Sequence, residues 1–209
     1  MKLVVATTNS GKLNEFRALL GDLAVDLCSL SEVADAPVVA EDGDTYLANA
    51  RAKAIAIARH CGVPALADDS GLEVTALGGA PGVRSARFAA DAMHRRDPAD
   101  DRTNTAFLLG RLRGLGDDRR AARFRCVIVV ARPDGGELIA EGTCEGRIAH
   151  VPQGSAGFGY DPVFIYPPLA RTFAELTREE KDQVSHRAQA IAQLRPRLLA
   201  FLTASAAAP

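Results

Sequence analysis

The chain has 209 residues, of which 47% are hydrophobic, 24% charged and 5% aromatic, and its formal net charge is −1. This size and composition are typical of one domain, or of one domain with a lobe, that buries a real apolar core. The near-neutral charge and the few aromatic residues argue against a dedicated nucleic-acid surface, which needs a clustered positive face or stacking rings. No apolar stretch approaches the length of a membrane span.

The cysteines and the N-terminus indicate a cellular compartment. Cys28, Cys61, Cys126 and Cys144 lie far apart and form no C-x-x-C pair, as is typical of buried free thiols in a reducing cytosol. The first residues enter a strand-like run directly and are too short for the apolar region of a signal peptide. We therefore expect a cytoplasmic protein.

The chain begins with a strand, a polar loop and a helix. Residues 3–6 form a continuous apolar run, and apolar residues then recur at helical spacing from Leu13 to Leu20. The loop between them consists of Thr7, Thr8, Asn9, Ser10, Gly11 and Lys12. Small polar residues that lead into a helix N-terminus suit phosphate binding, although the P-loop pattern does not fit. A simple loop in which Asn9 or Ser10 caps the helix is equally compatible.

An acidic segment and a long helix follow a second strand at 25–30. Glu41, which precedes Gly43 and the start of the helix, is a candidate metal ligand. Thr45 suits the N-cap of a helix that runs to about residue 60 and ends at Gly62. Asn49 and Lys53 share one face of that helix, and the spacing alone favours an exposed face over a cleft.

Residues 64–74 hold the central candidate site. Short apolar runs flank Asp68, Asp69, Ser70 and Gly71, and such a run predicts the end of a buried strand. Carboxylates there are unfavourable unless a metal ion, a water molecule or N–H groups use their charge. Because neighbouring residues of a strand point to opposite faces, we expect one carboxylate to face the site and the other to support it. An ordinary turn is the alternative.

The second half of the chain predicts a helix at 103–115 and a hairpin of strands 122–131 and 137–151. A glycine-rich loop, 154–162, carries Phe158, Gly159, Tyr160 and Asp161. A ring for stacking, exposed amides and a carboxylate would suit a nucleoside, and a turn with buried aromatic residues is equally compatible.

The C-terminal region predicts two helices. Thr177 and Glu180 form a capping box at the start of the first, and Pro196 should kink or split the second. Lys181, His186 and Arg187 bring positive charge close to a helix start, which would suit a triphosphate.

These motifs together resemble the inosine/xanthosine triphosphate pyrophosphatase family, whose members hydrolyse non-standard purine nucleoside triphosphates. The matching stretches occur in family order over nearly the whole chain: Thr7 to Lys12, Glu41-x-Gly43-x-Thr45, Asn49-Ala50 with Lys53, Ala67 to Leu72, Gly78 to Gly82, Gly157 to Pro162, Glu175-Leu176 and Ser185 to Arg187.

The resemblance implies a fold and an assembly. It implies an elongated α/β protein with a long mixed, twisted sheet and flanking helices, in which two lobes of a single domain over residues 1–209 surround a central nucleotide cleft. It also implies a homodimer and Mg²⁺-dependent hydrolysis of ITP, dITP or XTP to the monophosphate and pyrophosphate.

The resemblance also assigns roles. Asp69 would accept the proton and bind the metal together with Glu41. The phosphates would be held by residues 7–12 and Lys53. The nucleotide would further contact Ser70, Phe158, Gly159, Tyr160, Asp161, Lys181, His186 and Arg187.

One departure concerns Ala48, which stands where the family often has a glutamate. The absence of that glutamate removes a capping-box partner at the helix start and a possible acidic group near the metal, but it does not change the reaction. Two rival functions remain open at this point: a related pyrophosphatase that acts on pyrimidine or modified nucleotides, and a nucleotide-binding protein without turnover.

Overall fold

The computed structural model describes residues 1–95, 97 and 99–204. The strands are β1 (Lys2–Val5), β2 (Asp26–Ser29), β3 (Ala65–Val74), β4 (Ala121–Ala131), β5 (Glu137–Ile148), β6 (Phe164–Tyr166) and β7 (Arg171–Thr172). They form a seven-stranded sheet in the order β2-β1-β3-β4-β5-β6-β7. The pairs β1–β2 and β1–β3 are parallel, whereas β5–β6 and β6–β7 are antiparallel. The predicted mixed sheet is thereby confirmed.

The helices are α1 (Ser10–Leu20), α2 (Tyr46–Cys61), α3 (Phe88–Ala92), α4 (Asp101–Arg111), α5 (Arg178–Val184) and α6 (His186–Thr203). Short 3-10 helices occupy Leu30–Glu32, Thr75–Leu77, Gly82–Arg87, Asp117–Arg119, Asp161–Val163, Pro167–Leu169 and Phe173–Glu175. None of the helices within the described ranges is long and apolar enough to cross a membrane.

Helix boundaries follow the local capping signals. The Thr45 side chain accepts from the Ala48 amide, and α2 ends at Gly62 as predicted. The capping box of Thr177 and Glu180 is present at the start of α5. Asp100 caps α4, so that helix begins and ends earlier than the apolar period alone predicted.

Two other predictions differ in their outcome. The adjacent strands β4 and β5 are joined by a turn in which the Arg132 amide donates to the Gly136 carbonyl at 2.8 Å, so the hairpin is confirmed. Pro196 lies inside α6 and does not split it. Buried Ile191 and Leu194 before the proline, and Leu198 after it, pack into one core cluster, and this packing holds both halves of the helix.

The chain divides into two compact units. The first unit comprises residues 1–69 and 126–142 and the chain from His186 onward. In this unit β1 is buried on both faces: Leu3 and Val5 belong to a core with residues of α1 and α6, and Val4 belongs to a core with residues of α2. Strands covered on both faces read as continuous apolar runs, which explains the sequence pattern at residues 3–6.

The second unit comprises residues 70–125 and 143–185. Its core joins Leu72 of β3 and Leu108 of α4 to an aromatic group. Phe124, Phe164 and Phe173 have ring centroids 4.5 to 5.8 Å apart. This apolar base supports the loop that follows β5. The predicted two-lobe cleft in a single domain stays a prediction.

Candidate functional site

The carboxylates of Asp68 and Asp69 in strand β3 point to opposite faces of the sheet. Leu66 of β3 packs with residues of α1 and α6, whereas Ala65 and Ala67 pack with residues of α2. Alternation along the strand therefore directs Asp68 toward α1 and α6, and Asp69 toward α2. The predicted strand end is wrong, because β3 continues through both carboxylates to Val74, and partners from distant segments make their burial possible.

Asp68 lies in a buried ionic network. Its Oδ2 atom lies 3.0 Å from Lys12 Nζ and 2.9 Å from Arg187 Nη2. The Arg187 side chain is fully buried and also pairs with the Glu15 carboxylate of α1. Two cations and two anions thus meet on this face, and Lys12, in the first turn of α1, is partly exposed.

The charges of this network fix the ionisation of Asp68. Burial opposes the charged carboxylate, but Lys12, Arg187 and Lys53 outweigh burial and hold the pKa of Asp68 far below its ordinary value. Burial likewise opposes the charged guanidinium, but Asp68 and Glu15 raise the pKa of Arg187. Asp68 is therefore anionic and forms ion pairs with Lys12 and Arg187.

On the opposite face, Asn49 connects Asp69 to the acidic segment. Its Nδ2 donates to Asp69 Oδ2 at 2.9 Å, and its Oδ1 accepts from the Gly43 amide at 2.9 Å. A Cβ on Gly43 would lie 2.7 Å from that Oδ1, so the segment needs glycine here. One buried amide therefore positions Asp69 and the segment that carries Glu41.

Lys53 lies beside the same group. Its Nζ lies 3.0 Å from Glu41 Oε2 and donates to the Asp68 carbonyl at 2.7 Å. The sequence pattern favoured an exposed face for Asn49 and Lys53, and this interpretation is wrong: Asn49 is buried and Lys53 keeps only 12% of its side chain exposed. The Ala-rich face of α2 packs on the sheet and carries both polar residues inward with it.

The pKa of Asp69 is shifted in the opposite direction to that of Asp68. Burial raises its pKa above the ordinary value; the Asn49 hydrogen bond and the charges of Lys53 and Lys12 act in the other direction, and the Glu41 charge adds to the increase. A buried carboxylate beside a second carboxylate is an arrangement that a divalent cation would stabilise, and carboxylate oxygens are the ligands that Mg²⁺ prefers. The pair Glu41 and Asp69 therefore fits such an ion, although no group of three or more His, Cys, Asp or Glu residues that could hold a metal is found among the described residues.

The predicted phosphate loop lies before and in the first turn of α1. Asn9 caps this helix by accepting from the Lys12 amide at 3.0 Å, and its own amide donates to Thr7 Oγ1 at 3.2 Å. Thr8 and Ser10 are exposed, and Gly11 is partly so. The helix N-terminus and the Lys12 ammonium thus occur together on a solvent-accessible segment, as an anion site requires.

In the second unit, Asp161 organises the predicted nucleoside loop. Asp161 is buried, pairs with Lys181 Nζ at 2.5 Å and accepts from the Phe158 amide at 2.9 Å. The Lys181 ammonium lies 5.0 Å from the centroid of the Phe158 ring and 5.6 Å from that of Phe173. A ring face and a carboxylate of one short loop are therefore brought together with a cation of α5.

The remaining predicted residues are distributed over both units. Tyr160 is buried and donates to the Ser85 carbonyl at 2.8 Å, which fixes the end of the loop. Ser70 is half-buried in β3. His186 is buried at the start of α6 in the first unit, and Arg187 is engaged by Glu15 and Asp68. A direct contact of Arg187 with a nucleotide stays a prediction.

Sequence reasoning missed Glu15. It lies three residues after Lys12 and directly before Phe16, so its place beside the apolar stripe of α1 was the available signal. Its partner Arg187 follows 172 positions later, which no local pattern links to it.

Comparison with known proteins gives a consistent result. A family model described as the Ham1 family matches residues 3–197. The chain is 50% identical to a dITP/XTP pyrophosphatase of Desulforamulus reducens over 191 residues, which is 91% of this chain and 92% of the relative. It is 48% identical to the dITP/XTP pyrophosphatase of Geobacillus kaustophilus over 193 residues, with 92% of each chain covered.

Solved structures of proteins with related sequences have a similar fold. A HAM1 protein from Coxiella burnetii has a TM-score of 0.83 and 41% identity, covering 96% of this chain and 99% of that one. A nucleoside-triphosphatase / dITP/XTP pyrophosphatase from Mycobacterium abscessus has a TM-score of 0.72 and 44% identity, covering 95% and 100%.

Proposed function

This chain belongs to the Ham1 family, and we propose that it is a nucleoside-triphosphate pyrophosphatase that converts ITP, dITP and XTP to the monophosphate and pyrophosphate with Mg²⁺. The observation that carries the proposal is the group around β3. Lys12 and Lys53 both contact Asp68, through its carboxylate and its carbonyl, beside an Asp69 whose pKa is raised. Cations for a polyphosphate thus accompany a carboxylate that can take a proton.

Asp69 accepts the proton of the attacking water. A general base works best when its pKa approaches the working pH, and burial moves Asp69 in that direction. Asn49 holds the carboxylate by the bond to Oδ2, which orients the remaining oxygen lone pairs. Asp68 is assigned no proton transfer, because Lys12 and Arg187 contact its carboxylate and hold its pKa below the ordinary value.

The triphosphate is held by residues 7–12 and Lys53. Phosphoryl transfer depends mainly on positioning and on neutralising charge. Lys12, oriented by Asp68, covers the charge of the leaving pyrophosphate, while the amides of the first turn of α1 take phosphate oxygens. Arg187 acts in this scheme through Asp68, to which it donates.

Glu41 and Asp69 would hold the Mg²⁺ ion. When bound, Mg²⁺ supplies positive charge to the phosphate oxygens. The Ala48 departure leaves this pair intact, because the Thr45 cap bond and the Asn49 bridge to Gly43 are both present.

Contacts with the nucleobase are assigned to Phe158 to Asp161 in the loop of the second unit. Ser70, Lys181 and His186 complete this set. Hypoxanthine and xanthine carry a 6-oxo acceptor where adenine has a donor. A site built of donors around that oxygen can discriminate by roughly 10⁴-fold. GTP would be rejected at its 2-amino group by crowding.

The assembly and location belong to the same proposal. The family resemblance favours a homodimer of one domain, which light scattering would test. The free thiols Cys28, Cys61, Cys126 and Cys144 favour a cytoplasmic location.

The proposal is tested by measuring pyrophosphate release from ITP, XTP, dITP, GTP, ATP, CTP and UTP, with and without Mg²⁺, for wild type and Asp69→Asn. We expect Mg²⁺-dependent turnover of the first three, slower by roughly 10²- to 10⁴-fold in the variant, in line with the loss of a general base. Turnover of a pyrimidine nucleotide instead would contradict the assigned purine specificity. Tight binding without turnover would contradict the enzymatic assignment.

A further inference from the structure

Helix α4 holds both polar groups of Gly159 in the nucleoside loop. The Gly159 amide donates to Asp101 Oδ2 at 2.6 Å, and its carbonyl accepts from Thr105 Oγ1 at 3.4 Å. Asp101 and Thr105 are spaced i, i+4 and therefore lie on one face of α4. Two successive turns of α4 therefore form hydrogen bonds with one residue of the loop.

Gly159 lies in a loop that is largely exposed. Residues 151–157 are exposed and Gly159 is half-buried, so apolar burial contributes little to its conformation. Gly159 adopts φ +61, a left-handed conformation that glycine allows and that side-chain hydrogen bonds must select among alternatives. The bond to a carboxylate is of the stronger, charge-assisted class.

Gly159 stands between the two side chains that would shape a nucleobase site. Phe158 places its ring 5.0 Å from the Lys181 ammonium, and Tyr160 is fixed through Ser85. Rotation of the Gly159 peptide groups would move the Phe158 ring relative to Lys181. On the other side of the loop, Asp161 accepts from the Phe158 amide and pairs with Lys181, and neither of these bonds holds the Gly159 peptide groups.

We propose that Asp101, assisted by Thr105, is a positioning residue that fixes the nucleoside loop and thereby sets the affinity for the purine base. This inference rests on the proposed function. The hydrogen bond of Asp101 goes to the nucleoside loop, whereas the proposed base and phosphate contacts lie on other segments, so its effect should fall on KM and on base selectivity, and not on kcat.

The test compares Asp101→Ala, Asp101→Asn and Asp100→Ala with wild type. Asp101→Ala removes the acceptor, and we expect KM for ITP and XTP to rise about tenfold, with kcat within about twofold, since a hydrogen bond to a charged group has that order of effect. Asp101→Asn keeps an acceptor oxygen and should restore KM to within about threefold of wild type.

Asp100→Ala is the matched structural control. Asp100 caps the same helix by accepting from the Thr103 amide at 2.6 Å, so its loss should lower the Tm at least as much as Asp101→Ala does. Its KM should stay at the wild-type value. Equal KM values for Asp101→Ala and wild type, or an equal rise in Asp100→Ala, would overturn the inference.

Amide exchange separates this inference from the proposed function. In the substrate-free protein, the Gly159 amide should exchange with deuterium at least tenfold faster in Asp101→Ala than in Asp100→Ala. If wild type turns over neither ITP nor XTP, the proposed function fails while this exchange still decides whether Asp101 holds the loop. Unchanged exchange would overturn the positioning role even in an active enzyme.

Discussion

The Lys12 ammonium lies 3.0 Å from the same Asp68 oxygen that the Arg187 guanidinium contacts at 2.9 Å. Asp68 is almost fully buried, with 1% of its side chain exposed, whereas Lys12 keeps 16%. The carboxylate therefore connects an internal cation to a partly exposed one in the first turn of α1. This explains why a second aspartate stands directly before the proposed base: it orients Lys12 and takes no proton.

Replacing Asp68 should destabilise the fold strongly. Asp68→Asn removes the negative charge that Lys12 and Arg187 both contact, and breaking one partner of a buried pair costs about 3 kcal/mol or more. Urea unfolding at neutral pH would measure the loss in the free energy of unfolding. Glu137→Gln is the control, because its pair with Arg51 is partly exposed and should contribute less than about 1 kcal/mol. Equal losses in the two variants would contradict the network described for Asp68.

Asn49→Ala should reduce activity more than stability. The variant loses the donor to Asp69 and the acceptor for the Gly43 amide, so both proposed metal ligands lose their orientation. We expect kcat/KM for ITP to fall roughly 10- to 100-fold, the range for residues that orient metal ligands. Thr45→Ala, on the same helix, removes only the cap bond to the Ala48 amide. It should lose about 1 kcal/mol of stability and keep its kcat, and an equal loss of activity in Thr45→Ala would refute the specific role of Asn49.

Gly142→Ala should disturb the start of α6. A Cβ at this position would lie 2.1 Å from the His186 carbonyl oxygen and 2.4 Å from the Ala190 amide, and both are backbone atoms that cannot rotate away. Overpacking of this kind costs about 2 kcal/mol, and thermal unfolding would record it. Gly110→Ala is the contrast, because a Cβ there meets nothing within 4 Å and alanine favours the helix by about 0.5 to 1 kcal/mol. A Gly142→Ala variant as stable as wild type would show that α6 does not pack as described.

The thiols should differ in reactivity. Cys28, Cys126 and Cys144 are buried and Cys61 is half-buried. Burial and the Asp68 charge raise the pKa of Cys126, and burial raises the pKa of Cys144 to about 12. Burial also raises the pKa of Cys61, but its side chain is partly exposed. Since the accessible thiolate is the reactive form, Cys126 and Cys144 should stay unreactive at pH 8, at which Cys61 should react first with a thiol reagent. All four should react after unfolding; fast native labelling of Cys126 would contradict the closed packing around Asp68.

Local signals predicted much of the fold. The caps at Thr45 and Thr177, the stop at Gly62 and the apolar run at residues 3–6 depend on near neighbours in the chain, and each lies where the pattern indicated. The end of β3 could not be predicted in this way. A strand that carries Asp68 and Asp69 in its interior is stabilised by Lys12, Arg187 and Asn49, which reach the two carboxylates from distant segments.

The candidate site divides along the same line. Asp69, Glu41, Lys12 and Lys53 were identified from residue type and family resemblance, and the structure brings them around β3. Asn49 was read as exposed because the period of α2 does not say which face the sheet covers. Asp101 was missed for a related reason: as the first residue of α4 it has the sequence of an ordinary helix start, and its bond to Gly159 spans 58 positions.

The most direct test of the central claim is hydrolysis of ITP in ¹⁸O-labelled water with Mg²⁺, followed by mass spectrometry of both products. If Asp69 activates water for attack on the α-phosphorus, the label appears in inosine monophosphate and the released pyrophosphate is unlabelled. Label in pyrophosphate or orthophosphate would place the attack on another phosphorus and contradict the account.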